Sequence, residues 1–305
     1  MGILLRVLET ALPVFVTLAL GMLCRARKLM NRDGMDALKF VAVNITLPAV
    51  LFASFATAEY SRESIAIPLL IFAVCGAAMI LGFVLPGLLK IEGKLAPYLM
   101  TGFEAGMLGY GLFALLFKDE PTSSFAIIDL GQVLFVFTVY KALLSGKGGL
   151  RSALREALVS PVLWAIVAGL LFGATGLYAK LSPSGVSGVL TTIANFISAP
   201  TSAIILLTIG YDLVPGEIRW RETAAVVGLR VVLMGALLGI VMLINRLLLG
   251  GIMHTGALVL MFILPPPYVL PVFADAEDER ASISSALSVL TLLSILLFVV
   301  MAAVM

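Results

Sequence analysis

The sequence predicts an all-α integral membrane protein of ten transmembrane helices, and three observations predict it. Of 305 residues, 61% are hydrophobic and 12% are charged, where a soluble domain carries roughly 25% charged and about 45–50% apolar residues. Ten separate stretches reach the roughly 20 apolar residues needed to cross a bilayer. The connections between them are short and leave no room for a soluble domain. A mean hydropathy of +1.12 points the same way. Soluble enzymes, nucleic-acid binders, disordered chains and coiled coils are all disfavoured. Twenty Lys+Arg against eighteen Asp+Glu give a net charge of +2, too balanced for a polyanionic partner. The expected surroundings are the lipid bilayer, with no nucleic acid. Cys24 and Cys75 both lie in apolar stretches and read as buried thiols. A lone His254 excludes a His-rich metal site.

Taken in order, the spans fall at roughly 7–24, 38–57, 65–89, 95–117, 122–143, 159–179, 187–210, 222–245, 254–273 and 281–304. The first reads as a span and not as a cleavable signal peptide, because its basic cluster, Arg25-Ala26-Arg27-Lys28, follows the apolar run. Span 2 carries Asn44-Ile45-Thr46-Leu47-Pro48. Span 4 is glycine-rich, with Gly102, Gly106, Gly109 and Gly111. Span 5 carries Asp129 and Gln132, one turn apart on one face. Span 7 carries Asn195 and Pro200, span 8 Arg230, and span 9 the run Pro265-Pro266-Pro267 with Tyr268 and Pro271.

Loop charge sets orientation. Fourteen of the twenty Lys and Arg residues fall in the loops joining spans 1–2, 3–4, 5–6, 7–8 and 9–10, and five on the other side. The basic side is expected to be cytoplasmic, which places both termini outside a multi-pass cell (inner) membrane protein.

Ten spans divide into five and five: an N-terminal repeat at 1–145, a basic cytoplasmic linker at 146–158 and a C-terminal repeat at 159–305. An odd number of spans in each half forces opposite topology, the inverted-repeat architecture of secondary transporters. Asn44 with Pro48, and Asn195 with Pro200, stand in the second helix of each half. The fourth helices form the more informative pair. Consecutive prolines cannot sit in a continuous helix, since each removes a hydrogen bond and clashes with the preceding turn. In hydrocarbon the freed carbonyls must be met by protein or by cavity water. Interrupted helices at matching positions of two halves point to a binding site, whose half-helix N-termini favour an anion. For span 4, tight packing of the glycines against a neighbour is the plainer reading.

Three ionisable residues lie deep in spans: Glu104, Asp129 and Arg230. Such groups are costly in a membrane and mark interior sites or pairs. Glu104 could carry a proton or ligate sodium. Asp129 could pair with Arg230 or bond freed backbone, while the Arg230 stem could instead reach the cytoplasmic interface. Asn44 and Asn195 could equally cap or cross-link helices. The Gly185-Val186-Ser187-Gly188 string, with His254 as a nominal base, would suit an intramembrane serine protease, but Ser187 reads as an ordinary helix N-cap.

Nearly end to end, the chain resembles the auxin efflux carrier family of permeases, the bacterial relatives of plant PIN-type auxin exporters. The resemblance rests on Leu12-Pro13 and Gly21, on Asn44-x-x-Leu47-Pro48-x-x-Leu51-Phe52, and on the glycine-rich span 4. It continues through Ala199-Pro200 to Gly210, Arg230, and Pro265 through the small-residue segment Ala281–Thr291. It implies inverted five-helix repeats with crossed broken helices 4 and 9, a fold of the sodium/proton antiporter and bile-acid symporter type. It also implies a scaffold with a transport domain, and small organic anions such as carboxylates as cargo. Family members tend to carry Asn where this chain has Glu104, and Pro near Gly111. A Glu adds a titratable group and favours cation coupling, and the missing Pro argues against a sharp break in span 4.

The expectation is therefore a secondary carrier working by alternating access, with no cofactor beyond a coupled proton or sodium. Asn44, Pro48, Glu104, Gly106, Gly109, Asn195, Pro200, Pro265, Pro266 and Tyr268 are expected around the substrate. Glu104, Asp129 and Gln132 are expected at the coupling ion, with Arg230 as supporting charge. A sodium/proton antiporter on the same scaffold is the first rival and the serine protease a remote one. Substrate identity, transport direction and a homodimer stay open.

Overall fold

The computed structural model describes residues 2–58, 60, 62–89, 95–144, 155, 158–213, 220–270 and 277–304. The linker expected at 146–158 lies outside them except for residues 155 and 158, and Pro271 also lies outside. The regular structure of the described residues is all helical. The helices are α1 (Gly2–Ala26), α2 (Arg32–Val41), α3 (Leu47–Ala56), α4 (Arg62–Leu88), α5 (Ala96–Leu99), α6 (Tyr110–Leu116), α7 (Ser123–Phe135) and α8 (Lys141–Leu144). There follow α9 (Pro161–Ala174), α10 (Leu177–Lys180), α11 (Val186–Ser198), α12 (Thr201–Asp212), α13 (Trp220–Leu247), α14 (Thr255–Ile263) and α15 (Glu277–Val304). Among the described residues, six helical segments are long and apolar enough to cross a membrane, and three shorter apolar helices accompany them. Large apolar side chains stand exposed along them, Phe196 at 83% and Val232 at 70%, as suits surfaces facing lipid and not water.

Among the described residues, π-turns at Ala42–Thr46 and Val136–Tyr140 each join two helices, and a π-turn at Ala105–Gly109 opens α6. The first has a legible cause. Pro48 has no N–H to return to the carbonyl four residues back, so the turn widens, and the Leu47 N–H donates to Ala42 O five residues back. Pro200 has a milder effect between α11 and α12, where the Thr201 hydroxyl donates to Ser198 O at 2.6 Å.

The chain forms two compact units, each drawing on both halves of the sequence. The first contains residues 1–65, 106–127 and 155–213. Its close approaches use glycine, because a side chain would hold the helix backbones apart. A Cβ on Gly21 of α1 would strike the Leu207 carbonyl of α12, and one on Gly210 of α12 would strike Leu18 of α1. Gly169 and Gly173 of α9 seat against Phe52 and Phe55 of α3 in the same way, with Phe52 and Phe172 meeting edge to face. Tyr60, after α3, donates its hydroxyl to Phe55 O at 2.7 Å, and burial pushes its phenol up to about 12. Lys39 of α2 pairs with Asp212 of α12.

The second unit contains residues 66–105, 128–154 and 214–305. Here α13 packs on α14 and α15, and α5 also touches α13. Gly131 of α7 lies against Pro68 of α4, and Gly82 of α4 against Pro97. This unit contains both interruptions of the helical backbone.

Candidate functional site

Span 4 does break, and without the proline whose absence argued otherwise. α5 ends at Leu99, and residues 102–104 are not helical before helix resumes at Ala105. Glycine makes the break possible: Gly102 sits at φ +71°, a conformation that costs other residues roughly 1–2 kcal/mol. A Cβ there would also lie 3.0 Å from Cγ and Cδ of Pro267. The interruption thus lies upstream of Gly106, Gly109 and Gly111. Those three continue as π-turn and helix, with Gly111 seated against Ser202 in the first unit.

In the second interruption, α14 stops at Ile263 and the chain runs without helix through Pro265–Pro267. Three prolines remove three donors, so the carbonyls one turn earlier need other partners. Met261 O accepts from Leu264 N–H at 3.2 Å. Ile263 O accepts the Ser294 hydroxyl of α15 at 2.5 Å.

The two interruptions meet within the second unit. The backbone N–H of Glu104 donates to Pro265 O at 2.8 Å. The backbone N–H of Tyr268 donates to Glu104 Oε2 at 2.7 Å, the short distance of a charge-assisted bond. The Tyr268 phenol shares a hydrogen bond with Thr291 of α15 at 2.8 Å. Pro265, Pro266 and Pro267 are buried, and Glu104 and Tyr268 are half-buried.

Arg230 holds this junction from α13. Its Nη1 donates to Leu99 O at 2.6 Å, and its Nη2 to Gly102 O at 2.8 Å and to Leu264 O at 3.2 Å. The guanidinium lies 5.9 Å from the centroid of the Phe103 ring, and the residue is 2% exposed. The stem therefore does not reach an interface, as the sequence had allowed. One cation instead meets carbonyls from both breaks, where the negative ends of α5 and α14 converge. Two further bonds brace the first break. Tyr140 donates its hydroxyl to Tyr98 O at 3.2 Å, and Thr101 donates its own to Cys75 O at 2.8 Å. Tyr140, Ser294 and Thr101 were not singled out in the sequence. Their only signal there is a hydroxyl inside an apolar span.

Asp129 and Gln132 are both buried, and Gln132 Nε2 donates to Asp129 Oδ1 at 3.1 Å. Gln132 Oε1 is buried with no hydrogen-bond partner among the described residues. Cys75 is within electrostatic reach of both Asp129 and Arg230.

The remaining expected residues belong to the first unit. Asn44 is half-buried in the first π-turn, and its Nδ2 donates to Phe40 O of its own helix at 3.0 Å. Pro48 stands at the start of α3. Asn195 and Pro200 are exposed, and Asn195 uses its backbone carbonyl to accept from Ala199 N–H. Ser187 is not the N-cap of α11, because Gly185 at φ +75° takes that position. His254 caps α14 through Nδ1, which accepts from Ala257 N–H at 3.0 Å. That ring nitrogen is therefore engaged as a cap. A cavity of about 160 Å³ between α13, α14 and α15 is lined by Met234, Phe262, Leu264 and Leu290, with Arg230 at its edge. Its apolar walls do not suit a carboxylate.

Apolar helices of membrane-crossing length, with backbone interruptions carrying buried charge, define the class as a multi-pass membrane protein of the transporter kind. No protein-family model matches the chain. The chain is 28% identical over 218 residues to a protein of Methanothermobacter thermautotrophicus named an uncharacterized transporter, and the match covers 67% of each chain. The relative and the helices together support a membrane transporter.

Proposed function

We propose that this protein is a secondary active transporter that carries a small organic anion, a carboxylate, across the cytoplasmic membrane by alternating access. One observation carries the reading: where the two interruptions meet, a backbone amide already binds a carboxylate, that of Glu104, at 2.7 Å. A junction that binds this group from its own chain has the chemistry to bind it from a cargo. The resemblance to auxin efflux carriers favours the same substrate class and supplies the finer architecture. That architecture is ten spans in two inverted repeats, 1–145 and 159–305, with crossed helices and both termini outside the cell membrane. Within the second unit, Glu104, Pro265, Pro266 and Tyr268 are the expected substrate residues. No nucleotide-binding loop occurs in the sequence, so an ion gradient, the membrane potential or the cargo's own gradient drives the cycle.

The test is uptake of a panel of radiolabelled small carboxylates into proteoliposomes, alongside melting of the purified protein with each acid. A transported acid raises the apparent melting temperature, since a ligand of the folded state stabilises it. If no acid is taken up and none stabilises the protein, the reading fails.

The buried Asp129–Gln132 pair, with its unpartnered Gln132 oxygen, favours a second reading, a sodium/proton antiporter. Sodium-driven proton flux in the same vesicles, without any organic acid, would establish it.

A further inference from the structure

Resting on that reading, we propose that Glu104 is a built-in competitor of the cargo. Its carboxylate occupies the amide that a cargo carboxylate takes, and it leaves that amide by accepting a proton, so one proton travels with each monovalent anion.

The scarcity of donors makes the competition unavoidable. Pro265, Pro266 and Pro267 have no N–H, and Leu264 N–H is engaged with Met261 O. Tyr268 supplies the first backbone N–H after the three prolines, and Glu104 Oε2 accepts from it. The Glu104 backbone is pinned as well, donating to Pro265 O at 2.8 Å. The carboxylate can therefore move on its side-chain torsions without the break coming apart.

Two carboxylates cannot share this place while both are charged. Like charges about 4 Å apart, at an effective dielectric near 20, weaken binding of the second roughly a thousandfold. Arg230, Tyr140 and Tyr268, charged or titratable side chains described in this unit, each bond other groups. Arg230 donates to the Leu99, Gly102 and Leu264 carbonyls. Tyr140, which feels Arg230, Tyr98 and Glu104 electrostatically, donates its hydroxyl to Tyr98 O. The Tyr268 phenol is engaged with Thr291. Cys75 is within electrostatic reach of both Arg230 and Asp129.

The exchange balances. A proton from the aqueous phase on the loading side forms an O–H bond on the Glu104 carboxylate, and the Tyr268 N–H passes to the cargo oxygen. One negative charge is neutralised as one arrives, so the loaded junction has the same charge as the empty one. On the far side the cargo leaves, Glu104 gives up its proton to water and retakes the amide.

The experiment uses the full chain in proteoliposomes, with radiolabelled lactate, succinate and phenylacetate as probes and the membrane potential clamped by potassium and valinomycin. Wild type should take up lactate or phenylacetate in response to an inward proton gradient. Clamped potential should have little effect, and uptake should fall by up to about tenfold per unit of rising pH. Glu104→Gln should lose the proton dependence, respond to potential as a bare anion carrier does, and bind the same probe at least tenfold more tightly at alkaline pH. Glu104→Ala should do the same, and keeps the test alive if the Gln variant fails to fold. Uptake by wild type that follows potential and ignores pH overturns the proposal while leaving the carrier reading intact. So does uptake that requires sodium. No uptake of any probe by any of the three proteins overturns both.

Discussion

Replacing Arg230 by Met tests the junction most directly. Met fills nearly the same volume, so little cavity is left, but it offers nothing to the Leu99, Gly102 and Leu264 carbonyls. A buried polar group left without a partner costs about 1–3 kcal/mol. Three at the low end of that range amount to about 3 kcal/mol, in line with the roughly 3–5 kcal/mol for removing one partner of a buried charged contact. At about 2 °C per kcal/mol for a chain of this size, the apparent melting temperature should fall by roughly 6–10 °C. Fluorescence-monitored melting of the detergent-solubilised protein measures it. Arg230→Lys should fall between the two, because a compact ammonium on a shorter stem cannot span three carbonyls in the plane that a guanidinium does. Melting of the Met variant within about 1 °C of wild type would refute the reasoning. The carbonyls would then be satisfied without the guanidinium.

Gly102→Ala should cost about 2 kcal/mol by the same melting assay, combining left-handed strain with the 3.0 Å approach to Pro267. Gly210→Leu should force α1 from α12 at Leu18 and destabilise by about 1–3 kcal/mol or more. Gly188→Ala, where a Cβ meets nothing, is the matched control and should melt like wild type. Lys39→Met should cost less than about 1 kcal/mol despite the short Lys39–Asp212 distance, since both side chains are partly exposed, and high salt should erase the difference. Thr291→Val should cost about 1 kcal/mol for the lost Tyr268 bond.

Much of the helical layout was legible because hydrocarbon permits few alternatives. Among the described residues, six apolar stretches form helices of membrane-crossing length, and the second interruption follows from covalent chemistry, since three prolines admit no helix. The first interruption was harder to read. Four glycines in ten residues marked the region, but only Gly102 adopts a positive φ, and nothing local distinguishes it from Gly106 or Gly109. What marks Gly102 out is Pro267, far along the chain, whose ring lies 3.0 Å from where a Cβ would stand. Arg230 was visible as a costly charge inside a span, yet its partners could not be foreseen. They are backbone carbonyls at Leu99, Gly102 and Leu264, groups present at every residue and distinguished only by tertiary structure. The same holds for the two units, which combine helices from both halves of the sequence according to which faces meet.

The interleaving also has a consequence for biosynthesis. Leu99 leaves the ribosome 131 positions ahead of the arginine that will satisfy it. At roughly 5–20 residues per second, that delay lasts about 7–26 s. Throughout it, the nascent chain holds a kinked segment with bare peptide oxygens that lipid tails cannot satisfy. The insertion machinery must therefore shelter or hydrate this stretch until α13 arrives. An Arg230 lesion should then appear in cells first as proteolysis of an unfinished chain, before any defect in the finished one.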